Sequence, residues 1–126
     1  MAEKSIAEKL QVKGTRRLAV VDPPAGLDAI AGAMQARAPM ENADVVLLFV
    51  ADRADLSRSL TANLPAIAAE AIIWIAYPKL TSKLAADLSR DVIHALVPSY
   101  GLDAVAQIAI DADWSALRFK RTAPRA

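Results

Sequence analysis

The twenty residues I-I-W-I-A-Y-P-K-L-T-S-K-L-A-A-D-L-S-R-D, positions 72–91, decide the fold. Residues 72–77 are apolar or aromatic with a β-branched bias, which suits a strand, and Pro78 ends the run because it has no amide to give to a ladder. A polar loop carrying Lys79, Thr81, Ser82 and Lys83 follows, and an apolar stripe at helical spacing opens near Asp87. Strand, stop, loop and helix in that order are half of a β-α-β unit. In sheets built this way ligands collect where strands end and helices begin, so the loop is the first place to look for a working surface.

Working outward, V-V-L-L-F-V at 45–50 is apolar at every position, as a strand covered on both faces must be, and predicts a central second strand. Residues 18–21 give a short first strand, closed by Asp22, Pro23 and Pro24. From Gly26 to Pro39, Leu27, Ile30, Ala31 and Met34 fall at helical spacing. Asp52 or Asp55 can cap the next helix, with Leu56, Leu60, Leu64, Ile67 and Ala71 on one stripe, and Pro65 is expected to kink or split it. After the third strand, residues 87–98 predict a helix with Leu88, Val92, Ile93 and Leu96 inward and Asp87, Arg90, Asp91 and His94 outward. Gly101 marks its exit, and residues 105–110 make a fourth strand whose single polar member is Gln107. In 114–121, Leu117 and Phe119 alternate with Ala116, Arg118 and Lys120, the pattern of an antiparallel edge strand.

These elements predict a single α/β domain over 1–126, with a helical arm at 1–16 and a flexible tail at 122–126. The expected architecture is a three-layer sandwich around a mostly parallel five-stranded sheet with a C-terminal antiparallel hairpin strand. Strand order stays open. Order 2-1-3 covers both faces, whereas order 1-2-3 puts the main helices on one face and leaves the other to the amino-terminal segment or to a second subunit in a homodimer.

Composition narrows the function. The 126 residues are 55% hydrophobic and 23% charged, as one compact domain requires, and fifteen basic against fourteen acidic side chains leave a net charge of +1. Without a global field, neither nucleic acid nor a membrane surface is an expected partner. The absence of cysteine excludes disulfides and thiolate chemistry. The start M-A-E-K-S-I-A-E-K-L has no apolar core and no later run is long enough to span a bilayer, so a cytoplasmic location is expected.

Lys79, Thr81 and Ser82, joined by Arg90 in the first turns of the helix, are candidates to receive a phosphate or carboxylate. Tyr77 stands at the strand end beside them, its bond to Pro78 expected trans with cis left open. Trp114, Ser115 and Arg118 lie on the hairpin, and if the last strand pairs with the third, Trp114 and Arg118 are placed to complete a pocket with Tyr77 and Lys79. Asp22, Asp52, Asp111 and Asp113 fall at strand ends on one rim, where a magnesium ion has the oxygen ligands it needs, but caps and turns are the commoner use and no metal site is expected. His94 reads as a surface residue, no Ser-His-Asp set assembles, and no cofactor motif is present.

The segments S-I-A-E-K-L (5–10), W-I-A-Y-P-K (74–79), D-L-S-R-D-V (87–92) and D-W-S-A-L-R-F-K (113–120) resemble those of a family of small bacterial proteins of unknown function. The resemblance implies a small bacterial cytoplasmic protein and brings no chemistry with it. A more distant likeness is to S-adenosylmethionine-dependent methyltransferases, whose sheets also close with a parallel strand and an antiparallel hairpin partner. Those enzymes carry a glycine-rich turn after the first strand and an acidic residue ending the second. This chain has D-P-P-A-G-L and then A-D-V-V-L-L-F, so the likeness implies a shared scaffold without the cofactor. The function expected is a non-enzymatic module that holds a small anionic ligand or a protein partner on the strand-end rim. The alternative is a small enzyme acting on a phosphorylated or nucleotide-like substrate, with Lys79 and Arg90 stabilising negative charge.

Overall fold

The computed structural model describes residues 16–22, 38–68, 70–110 and 113–122. The expected amino-terminal helix, the helix after Gly26, Asp111 and the tail beyond Thr122 lie outside the described residues. Five strands, β1 (Leu18–Val21), β2 (Val45–Phe49), β3 (Ile72–Pro78), β4 (Leu102–Ala109) and β5 (Trp114–Arg121), form one sheet in the order β1-β2-β3-β5-β4. β1–β2 and β2–β3 pair in parallel, while β3–β5 and β5–β4 pair antiparallel. The sheet is therefore mixed rather than mostly parallel. β4 does point the same way as β1, β2 and β3, but β5 is threaded between β3 and β4, and every contact on that side is antiparallel.

β2 is as central as its composition demands: Val45 to Val50 are each at most 2% exposed. The helix α1 (Arg53–Asn63) starts at Asp52, whose Oδ1 accepts from the Asp55 amide at 2.8 Å, while Asp55 Oδ2 accepts from the Ala51 amide at 2.9 Å. Asp52 is thus the cap, and Asp55 in the first turn reaches back past it to the preceding residue. Pro65 splits the helix as expected, forcing Leu64–Ala66 into a tighter 3-10 turn. Arg121, the last residue of β5, donates from Nη2 to the carbonyls of Leu64 and Ile67 at 3.3 and 3.0 Å, tying the end of β5 to this turn.

The second helix, α2 (Arg90–Leu96), begins three residues later than its stripe suggested. Ser89 caps it by accepting from the Val92 amide, and Asp87 instead accepts from the Arg53 amide at 2.8 Å, tying the loop to the start of α1. A 3-10 turn (Val97–Tyr100) ends at Gly101, whose φ of +76 lies in the left-handed region. That turn feeds β4 from Leu102, three residues earlier than its apolar run suggested.

The order 1-2-3 is the observed one. Both described helices consequently pack on one face, where Leu56, Leu60, Ile93 and Val97 meet Val46, Leu48, Ile73, Ile75, Leu117 and Phe119. On the opposite face Leu18, Val45, Leu47, Phe49, Trp74, Ala76 and Ala116 form a second cluster. These residues are 0–2% exposed. What the three-layer expectation places there lies outside the described residues. β5 is an interior strand with β4 outside it, which corrects the edge assignment that alternation in 114–121 suggested for β5. No described helix is long and apolar enough to cross a membrane.

Leu48, wholly buried, and Val105, 48% exposed on the edge strand, give a direct contrast. Leu48→Ala is expected to cost about 2–5 kcal/mol in urea unfolding and Val105→Ala to stay within about 0.5 kcal/mol. Equal losses would contradict the assignment of core and edge.

Candidate functional site

The carboxyl end of β3 opens into a cleft of 260 Å³ lined by Tyr77, Lys79, Leu80, Thr81, Arg90, Gln107 and Ser115. Its floor follows from strand register. Tyr77 lies opposite Ser115 across the β3–β5 ladder, and Ala109 lies opposite Ser115 on the far side, so Gln107, two residues along β4, shares the face of Tyr77. The Gln107 side-chain amide donates to the Tyr77 hydroxyl at 3.3 Å, and the Ser115 hydroxyl also hydrogen-bonds it. Burial pushes the Tyr77 phenol above its ordinary 10.0, and the Arg90 charge and the Ser115 bond pull it part of the way back. Tyr77 therefore stays protonated and can donate a hydrogen bond into the cleft.

The wall is the 79–89 loop, fixed at three points. The Lys79 amide donates to the Asp113 carbonyl at 2.8 Å, Ser82 Oγ donates to Asp113 Oδ1 at 2.8 Å, and Asp87 holds the Arg53 amide. Ser82 Oγ also accepts from the Leu84 amide at 3.0 Å. Ser82 is thus a latch between the loop and the β4–β5 turn and does not line the cleft. Arg90 enters from the first residue of α2, with Asp91 Oδ1 3.9 Å from its Nε.

Of the residues singled out from sequence, Tyr77, Lys79, Thr81 and Arg90 come together. Trp114 does not join them. It packs edge-to-face on Phe49, with ring centroids 5.4 Å apart, in the cluster on the opposite face of the sheet. Arg118 lies four residues, roughly 13 Å, further along β5. It pairs with Trp74 and lines a separate 540 Å³ depression with Glu70, Ile72 and Lys120. Pairing of the last strand with β3, the condition for that pocket, is met, but alternation sends Trp114 and Arg118 alike to the other face, and strand rise carries Arg118 further away. Gln107 and Ser115 were not among the site candidates, although an isolated polar residue in an apolar strand and a hydroxyl opposite Tyr77 were the signals for them. The Tyr77–Pro78 bond is trans. Among the described residues no three His, Asp or Glu side chains converge as a metal site; Asp52 caps a helix and Asp113 latches the loop.

A mixed sheet with this order and a closing antiparallel strand is the methyltransferase-like α/β fold. It is similar to that of the mitomycin 7-O-methyltransferase MmcR, at TM-score 0.56 and 14% identity, covering 94% of this chain and 54% of that one. It is also similar to LepI in complex with SAM, at TM-score 0.51 and 18% identity, covering 93% of this chain and 39% of that one. This chain spans about half the length of the first and less of the second, and at such identities the likeness shows the fold alone. No curated protein matches the chain by sequence. The chain belongs to the DUF3052 family, proteins of unknown function, whose model matches residues 26–123.

The Tyr77 phenol is expected to titrate above 10.0 in an ultraviolet titration of a Tyr100→Phe background. Because its folded value is raised, the stability it contributes is complete below the unfolded value near 10 and is lost as pH rises through the folded one. Urea midpoints should therefore fall with alkaline pH in the parent and less steeply in Tyr77→Phe. A phenol that ionises at or below its ordinary value would contradict the burial described.

Proposed function

We propose that this protein is a binding module whose cleft at the end of β3 holds a small anion, a phosphate or carboxylate group, without catalysing its conversion. The observation that carries this reading is that Lys79 and Arg90 line the same 260 Å³ space as the Tyr77 hydroxyl and the Gln107 and Ser115 side chains, with no carboxylate among the lining residues. Two cations and a protonated phenol form a set of donors complementary to an oxyanion, and an ionised acceptor strengthens each of those hydrogen bonds.

The site draws on side chains. α2 has only seven residues and its Val92 amide is already held by Ser89, so the helix terminus adds little of what the sequence suggested. The fixed loop supports the reading too, because a wall already held at Asp113 and Arg53 has little freedom left to lose on binding.

Catalysis is disfavoured because neither a histidine nor a carboxylate lines the cleft to pair with Tyr77 as acid and base. S-adenosylmethionine, the cofactor associated with the fold, does not fit the residues present. The acidic residue after β2, Asp52, has its Oδ1 engaged in the helix cap, and two prolines follow β1 where a close approach of backbone to the cofactor needs glycine.

Inorganic phosphate is expected to raise the melting temperature of the parent protein. Lys79→Ala and Arg90→Ala should each weaken phosphate binding by about tenfold or more, whereas Arg118→Ala should leave it unchanged. Unaltered binding in the first two variants, or release of phosphate from phosphosugars by the parent protein, would overturn the reading.

A further inference from the structure

A second depression of 250 Å³ abuts the cleft, lined by Arg90, His94, Ala104, Val105, Ala106, Gln107 and Leu117. Arg90 and Gln107 line both spaces, so the two meet at that pair. The second space lies between α2 and the edge strand β4. Arg90 and His94, at i and i+4, face it from the helix, and β4 offers four consecutive residues. Ala104, opposite Phe119, faces α2 and Ala106, opposite Arg118, contributes its backbone, while Leu117 of β5 adds a further apolar wall. A bulge between Ala104 and Ala106 turns Val105 out of the ladder with β5, which broadens this wall where the trough needs width.

The two halves thus differ in chemistry, with cations and hydroxyls at the Lys79 end, a guanidinium at the junction, and aliphatic groups beside the His94 imidazole beyond it. Resting on the anion site proposed above, we infer that the ligand is an amphipathic anion. Its phosphate or carboxylate head sits between Lys79 and Arg90, and a short uncharged hydrocarbon tail lies over Gln107 in the Ala104–Ala106 trough. The shallow open trough suits a tail of a few carbons.

The test is a binding series on the full chain by calorimetry with inorganic phosphate, ethyl phosphate, butyl phosphate and hexyl phosphate, and in parallel with acetate, butyrate and hexanoate. In the parent protein affinity is expected to rise about two- to fourfold per methylene over the first few carbons in at least one series, because each buried methylene adds a roughly constant increment. Ala104→Phe, half-buried on the α2 side of β4, fills the trough and should flatten this dependence while inorganic phosphate still binds. Phosphate binding with no dependence on chain length in the parent protein would overturn the tail site and leave the anion site standing. A dependence that survives Ala104→Phe would place the tail elsewhere and overturn it as well. No binding of any member would overturn both.

Discussion

Two neighbouring strands that are apolar on both faces set the terms for everything else. β2 and β3 run side by side in register from Val45 opposite Ile72 to Phe49 opposite Ala76, and most of these side chains are sealed from water. Neither strand can stand at an edge or show a face to solvent, so each needs a neighbour outside it and cover above and below. β1 meets the need beside β2. Beside β3 it is met by β5, brought back antiparallel into the gap, which pushes β4 out to the rim.

That solution is what creates the cleft. With β5 inserted, the carboxyl end of β3 is flanked by the start of β5 and, one strand further, by the second half of β4. Tyr77 is therefore enclosed by Ser115 on one side and Gln107 beyond it. The loop leaving β3 is drawn down onto the β4–β5 turn through Asp113 and across to α1 through Asp87, and this sets where α2 begins and hence where Arg90 points. The polar lining of the cleft is thus a consequence of how the apolar interior is closed. Architecture of this kind is common to proteins of many activities, and the chemistry rests on the few side chains at the strand ends.

Much of the fold was legible because local chemistry dictated it. Six consecutive apolar residues at 45–50 permit only a doubly buried strand, Pro65 permits only a broken helix, and Gly101 supplies the left-handed residue that the turn requires. Lateral order was less legible, because no residue of β5 states whether its neighbour is one strand or two. The exposed Lys120 and half-buried Arg118 reflect the open end of one sheet face, a pattern that sequence alone cannot separate from an edge. For the site, Lys79, Thr81 and Arg90 were within reach because a short loop joins them. Trp114 and Arg118 failed because their positions depend on which face alternation assigns and on strand rise. Ser82 and Asp87 illustrate a different limit. A polar side chain in a loop serves a ligand or the fold equally well, and in the folded chain these two are engaged with Asp113 and Arg53.

The central claim is that oxyanion recognition is concentrated at the end of β3. It is tested most directly by titrating isotope-labelled protein with inorganic phosphate and mapping chemical-shift changes over backbone amides and arginine side chains. Saturable changes centred on Lys79, Thr81, Arg90 and Ser115, with Arg118 and Lys120 unmoved, are the result expected. Changes that centre on Arg118 and Lys120, or that spread over every surface cation without saturating, would contradict the account.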